Sequence, residues 1–327
     1  MMYPLKLAPA FKDYLWGGTR LKTDFGKQTP LERVAESWEL SCHRDGVSMI
    51  ANGPLRGTPL TDYIARSGRK VLGTDCDPFA DFPILIKLID AYDNLSVQVH
   101  PDNDYALRVE GEYGKTEMWV IVDAEPGASL LYGFRDRLTR EEFRRRIEEN
   151  TLLEVVNRVP VRKGDVFFIE AGTLHAIGKG ILIAEIQQNS NTTYRVYDYG
   201  RVGADGRPRQ LHIDKAVEVT TLAPPARKPG PVGKPEQEAG CTRTLLAACD
   251  YFTVSAETLD GESPRLAGPE SFHSLLFLEG EAELAWKSEH SETELTLTAR
   301  KGDSIFVPAG MGAYTLRGKA ELLFTRV

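Results

Sequence analysis

The run RKGDVFFIEAG begins at Arg162, and a near copy, RKGDSIFVPAG, begins at Arg300. In this register Gly164 falls on Gly302, Asp165 on Asp303 and Gly172 on Gly310. Each copy is a Gly-Asp turn, a short apolar strand and a second glycine turn, so the recurring unit is a β-unit. Self-similarity of this kind predicts two copies of one all-β domain in a single chain. The copies differ in one chemical respect: His175 of the first falls on Ala313 of the second. The second copy has His273 and His290 but no paired ligand spacing, so it reads as a structural repeat without a metal site.

Around the first copy lie residues with ligand chemistry. In SVQVHPDNDYALRVEGEYGKTE, residues 96–117, Gln98 and His100 stand two apart in an alternating run and leave a strand on the same face. Pro101 ends that strand because it has no N–H for a central ladder. Glu117 opens the apolar strand EMWVIV. One amide oxygen, two imidazoles (His100 and His175) and one carboxylate form a first shell suited to a divalent metal. Taken alone, His100 would more often cap a strand and Glu117 be solvated; the paired spacing and its surroundings favour the metal.

A length of 327 residues suits two ordinary domains, and 42% hydrophobic with 27% charged residues suits a globular protein. The net charge of −7 argues against a nucleic-acid binder. It also means that any phosphate site must be built from a few local cations. Cys42, Cys76, Cys241 and Cys249 form no CxxC pair and read as reduced thiols. No apolar leader or membrane-length run is present, which points to a cytoplasmic protein.

In chain order, Trp16-Gly17-Gly18 marks a tight backbone passage. AESWELS, 35–41, alternates so that Glu36, Trp38 and Leu40 share a face. Residues 57–72 predict a helix. FPILIKLIDA is a continuous apolar strand interrupted by Lys87, which must reach a strand edge or meet an anion. The AYDN turn places Lys87 and Ser96 on neighbouring strands of one hairpin. NDYALRVEG and TREEFRRRIEEN predict short helices, the second with Thr139 and Glu142 as a capping box. The proline-rich run 223–240 divides the chain into 1–222, a catalytic unit with helical additions, and 241–327, the second unit.

The GD-x-x-x-x-x-AG-x-x-H pattern resembles the second motif of the cupins, double-sheet jelly rolls that hold a metal within one barrel. Two such units make a bicupin. A closer resemblance is carried by WGG, ESWELS, KLIDAYDNLSVQVHPD, GKTEMWVIV, AGTLHAIGKG and EIQQNSNTTYRVYDYGR, in that order. Together they are similar to type I phosphomannose isomerase over residues 3–222, and more weakly beyond. The short interval between Glu117 and His175 excludes the inserted helical domain of long members and fits the short, bacterial-type form.

The resemblance implies a zinc ion, one per chain, on Gln98, His100, Glu117 and His175. It implies Arg195 as the catalytic arginine, Glu185 at a family acidic position and Lys115 in substrate handling. Ser96 and Lys87 fall near the sugar phosphate, and Trp16 is read as a further substrate-binding residue. Ile177 stands where long members have a tyrosine, so no role carries over there. The implied reaction interconverts mannose 6-phosphate and fructose 6-phosphate through an enediol. Lys115 is favoured as its base over Glu185 or a metal-held hydroxide. Gln187, Asn189 and Asn191 are candidates for sugar hydroxyls or, equally, turn amides. The implied partner is a phosphorylated hexose, with no nucleic acid or membrane, for a monomer or homodimer. The competing classes are a metal-dependent cupin dioxygenase, disfavoured by Gln98, and a non-catalytic sugar-binding bicupin, which would not need Lys115 and Arg195.

Overall fold

The computed structural model describes residues 2–202, 206–287 and 293–327; His290 lies outside the described residues. The two RKGD copies form the same turn. Asp165 accepts the Arg162 N–H at 2.9 Å, and Asp303 accepts that of Arg300 at 2.8 Å. Gly164 and Gly302 follow with φ of 90° and 87°, a conformation that side chains with a Cβ avoid. The carbonyls of Asp165 and Asp303 then accept from Ile121 and Phe277 in equivalent positions. The repeat is therefore a repeat of structure, and the protein is an all-β bicupin with a few short helices.

Three of the four antiparallel sheets among the described residues stack as layers with a helical cover, the fourth being the two-stranded Cys42–His43 and Gly46–Val47. A six-stranded sheet runs in the order Val166–Ile169, Glu117–Ala124, Ile181–Gln188, Ile84–Ala91, Glu36–Leu40, Ala10–Lys12. A five-stranded sheet runs Val156–Pro160, Ser129–Phe134, His175–Ala176, Val97–Val99, Tyr194–Tyr197. Between them pack Ile89, Trp119, Ile121, Phe167 and Ile183 from the first and Leu130, Tyr132 and Ile177 from the second. The far side of the five-stranded sheet is covered by the helices Arg140–Glu148 and Ile213–Val219, through Phe143, Ile147, Ala216 and Val217.

The other face of the six-stranded sheet is largely apolar. Ile84, Ile86, Leu88, Met118, Val120, Leu182 and Ile186 pack with Leu275, Phe277 and Leu322 of the C-terminal sheet. This explains the unbroken apolar run around Lys87: alternate residues serve two different cores. The C-terminal sheet borrows strands from the start of the chain, Leu5–Ala8 pairing with Ser304–Val307 and Met49–Ile50 extending it. The proline-rich run lies against both halves, Gly230 donating to Val166 and Val232 to Leu246, and ends in an edge strand, Glu236–Glu238.

The helices are close to those expected. Leu60–Ser67 starts after Pro59 and stops at Gly68, whose φ of 80° suits a C-terminal glycine, before a 3₁₀ turn at Arg69–Val71. Thr139 caps Arg140–Glu148 by accepting the Glu142 N–H. Only that half of the capping box forms, because the Glu142 carboxylate turns to Arg145 and Arg146 instead. Two expectations fail. A bulge between Trp38 and Leu40 sends Leu40 to the core shared with the C-terminal sheet, so it does not share a face with Trp38. Lys87 and Ser96 are not hairpin neighbours, since the chain leaves the six-stranded sheet after Ala91 and enters the five-stranded one.

Candidate functional site

Register places the site residues before any side chain is considered. Across the five-stranded sheet His175 pairs with Gln98, and Gln98 with Arg195, so the three share one face. Across the six-stranded sheet Trp38, Lys87, Glu185, Trp119 and Phe167 form one row. Glu117 is paired with Gln187 two residues along, on the same face. The two faces look at each other, and His100, one residue past the end of its strand, completes the set.

Ligand atoms of His100, Glu117 and His175 lie within 4.8 Å of one another, and all three side chains are buried. His100 Nδ1 faces the Thr192 carbonyl at 2.9 Å, and His175 Nδ1 faces the Thr173 carbonyl at 2.9 Å. A carbonyl can only accept, so both protons sit on Nδ1 and both Nε2 lone pairs are turned inward. They meet Glu117, at 3.3 Å from His100 Nε2 and 3.8 Å from that of His175. Neither Glu117 oxygen is in hydrogen-bond geometry with any partner, although Lys115 Nζ stands 2.6 Å from Oε1. Buried carboxylate oxygens left in this way, with two imidazole lone pairs aimed at them, fit a divalent cation. The Gln98 amide nitrogen lies 3.5 Å from His175 Nε2; a half-turn of the amide brings its oxygen to that side.

Burial, with the Lys115 charge second, pushes the His100 imidazole down to about 3, and burial also lowers His175. Both are neutral, as ligands must be. Burial alone would raise Glu117, but the neighbouring Lys115 charge works against it and holds the carboxyl well below its ordinary range. Among the described residues no second group of three or more His, Cys, Asp or Glu side chains comes together in this way. In the C-terminal copy Ala313 is exposed at the start of its strand, and His273 bonds Tyr314 at 2.9 Å.

Beside the cluster opens a cavity of about 280 Å³. Trp16, Lys87, Ser96, Gln98, Lys115, Glu185 and Arg195 all line it, so the sequence-predicted residues converge there. Arg195 Nε donates to Ser96 Oγ at 3.2 Å and an Nη donates to the Gln210 carbonyl at 3.1 Å. Among the described residues Arg195 has no carboxylate within 4 Å, because Asp198 is taken by Arg201 and Arg209. Lys87 is different. Its ammonium, fully buried, is 3.2 Å from Glu185 and 3.6 Å from Glu36, so the anion that it meets is internal. Burial works against that charge, but Glu36 and Glu185 overcome it and raise the lysine above its usual range. Glu185 also accepts the Trp119 indole N–H at 2.9 Å; burial and then Glu117 raise its carboxyl.

Of the three candidate amides, Asn191 lines the cavity, whereas the Gln187 amide nitrogen donates to the carbonyls of Gln188 and Ser190 and Asn189 faces a separate cleft. Sequence reasoning missed Tyr14, Thr193 and Arg209 and assigned Glu36 no role, yet all four line the cavity. Glu36 had a usable signal: an acid two residues from a lysine-facing tryptophan in an otherwise buried strand.

A jelly-roll sandwich that holds a His–Glu–His set between its sheets, beside a cation-lined cavity, defines a cupin with a metal-type site. Residues 4–122 match the family model for the type I phosphomannose isomerase catalytic domain, and 242–327 that for the mannose-6-phosphate isomerase cupin domain. Mannose-6-phosphate isomerase of Streptococcus mutans is 38% identical over 99% of this chain and 98% of its own. ManA of Bacillus subtilis, also named mannose-6-phosphate isomerase, is 38% identical over 99% of both chains. The crystal structure of the mannose 6-phosphate isomerase from Bacillus subtilis superposes with a TM-score of 0.88, at 36% identity and 99% coverage of each chain. The chain belongs to the type I phosphomannose isomerase family.

Proposed function

We propose that this chain interconverts mannose 6-phosphate and fructose 6-phosphate through an enediol, using zinc held by Gln98, His100, Glu117 and His175. The observation that carries the reading is the Arg195 guanidinium, without a carboxylate partner among the described residues, in the cavity that Gln98 and Lys115 line beside the His–Glu–His set. When bound there, zinc supplies Lewis-acid polarisation of the sugar oxygens. The chain's own residues do the rest. Arg195 offers a planar donor fork to the developing enediolate or to the phosphate, already oriented by Ser96 and the Gln210 carbonyl. Trp16, Leu95 and Ile177 form an apolar wall that limits water around the intermediate. Lys115 Nζ, which lines the cavity beside Glu117, is the group placed to carry the proton from C2 of the aldose to C1. Glu185, fixed by Lys87 and Trp119, is the alternative base. The substrate and four unpaired thiols suit a cytoplasmic setting.

The test is a coupled assay of the purified protein over a panel of aldose phosphates. Turnover of mannose 6-phosphate well above glucose 6-phosphate and free mannose is expected; no turnover of mannose 6-phosphate by zinc-loaded protein refutes the reading.

Phosphate recognition was expected of Lys87 together with Ser96. Two carboxylates already meet the Lys87 charge, which favours Ser96 with Arg195 for the phosphate and a supporting role for Lys87 beneath Glu185. Lys87→Met should therefore lower kcat by about tenfold or more through the uncompensated carboxylates, rather than raise KM alone. A variant with unchanged kcat and a KM raised tenfold would return Lys87 to the phosphate.

A further inference from the structure

We propose that Glu112, outside the cavity and not in contact with any ligand, is a positioning residue that fixes the tautomer and aim of His100 by holding the loop behind it. The inference rests on His100 being a metal ligand. Glu112 lies in the turn after the helix Asn103–Val109, in the same loop that carries Lys115 and leads into Glu117. One carboxylate oxygen collects three donors from a single stretch: Asn191 N–H at 2.9 Å, Thr192 Oγ1 at 3.0 Å and Ser190 Oγ at 3.2 Å. Ser190 Oγ in turn accepts the Thr192 N–H at 3.2 Å, closing the loop on itself. The carbonyl of that same Thr192 receives the His100 Nδ1 proton at 2.9 Å. Lys115 Nζ faces the Nε2 lone pair at 3.3 Å on the cavity side, and the Thr192 carbonyl holds the ring from behind through its Nδ1 proton.

The other Glu112 oxygen is anchored from outside. His43 Nε2 lies 3.1 Å away and Arg44 donates at 3.0 Å. His43 Nδ1 accepts the Asp45 N–H at 3.1 Å, so its proton is on Nε2 and points at Glu112. His43 first, and then the Asn191 N–H and the Thr192 hydroxyl, bring the Glu112 carboxyl down to about 2, against the opposing effect of burial. It is thus ionised through the neutral range. Five donors on one carboxylate are more than a surface acid in a glycine turn requires. They tie two separate loops, one bearing Lys115 and Glu117 and the other backing His100, into a single frame. Partners of this kind behind a ligand histidine are worth roughly 10–100-fold in metal affinity.

The experiment compares the zinc-loaded parent, Glu112→Gln and Glu112→Ala. Zinc loss to a chromophoric chelator is timed, the visible spectrum of each cobalt(II)-substituted protein is recorded, and thermal melting is followed without metal. Zinc release faster by about tenfold or more, with an altered cobalt spectrum, is expected in Glu112→Ala, and a smaller change in Glu112→Gln. A lowered melting temperature with parental zinc release and cobalt spectrum overturns the proposal, because a merely structural role would move only the first. Should Glu112→Ala not fold, Glu112→Gln carries the test. His100→Ala separates the two claims. If it keeps a full equivalent of zinc, the ligand assignment fails; if it loses zinc while the folded Glu112 variants release theirs at the parental rate, only the positioning role fails.

Discussion

Dialysis against dipicolinate should bring turnover to background, and zinc should restore it with a stoichiometry near one per chain. The expectation follows from the state of Glu117. Its two oxygens are buried and outside hydrogen-bond geometry, and two neutral imidazoles converge on them. A buried carboxylate of this kind has a large unmet demand for positive charge, and Lys115 alone meets only one side of it. His100→Ala should fold, lose most of its zinc and fall to below about a hundredth of parental turnover, since the remaining three donors lack one corner of the set. Elemental analysis checks the ratio. A value near two would mean that the C-terminal copy also binds metal, despite Ala313 in the histidine position. Full turnover in metal-free protein would remove zinc from the proposed reaction altogether.

Arg195→Ala should keep zinc and fold, bind substrate within a few-fold and turn over at least about a hundredfold more slowly. The guanidinium is half-buried and, among the described residues, has a hydroxyl and a carbonyl as partners and no carboxylate within 4 Å, so its removal breaks no ion pair there. Its contribution is reserved for charge that arrives with the substrate and grows in the enediolate, and such a loss lowers kcat and kcat/KM together. Lys115→Ala should be similarly slow, and with 2-deuterated mannose 6-phosphate it should show a larger primary isotope effect than the parent if Lys115 moves the proton. An Arg195→Ala protein that has lost its zinc would reassign Arg195 to structure. A Lys115→Ala protein with the parental rate and isotope effect would pass the base role to Glu185.

Gln98, His100, Glu117 and His175 could be singled out from sequence because each stands beside a turn with its own spacing signal, and the repeat showed which copy carries the histidine. Arg209 and Glu112 could not. They lie in loops that meet the site only after two sheets have closed, and an acid within GEYG reads as solvated. The bulge after Trp38 was equally hidden. Alternation in ESWELS continues through it on paper, while the chain has inserted Glu39, buried against Lys27 at 2.6 Å, and turned Leu40 to the opposite core. The AYDN turn misled for a related reason: a tight reversal looks the same whether the next strand joins the old sheet or crosses to the facing one.

One face of the six-stranded sheet opens on the cavity, and the other is packed in an apolar core. Were the chain to stop after residue 222, Ile84, Ile86, Leu88, Met118, Val120, Leu182 and Ile186 would form an adhesive plate on the back of the active half. The first strand, Leu5–Ala8, would also lose its neighbour Ser304–Val307. The half that carries the proposed site is consequently not a transferable module. It could not be spliced into another protein, shuffled by recombination or trimmed to a minimal enzyme without carrying its twin. The two halves are thus one folding unit, in which Leu275 and Leu322 support, through a shared core, the sheet whose far face lines the cavity.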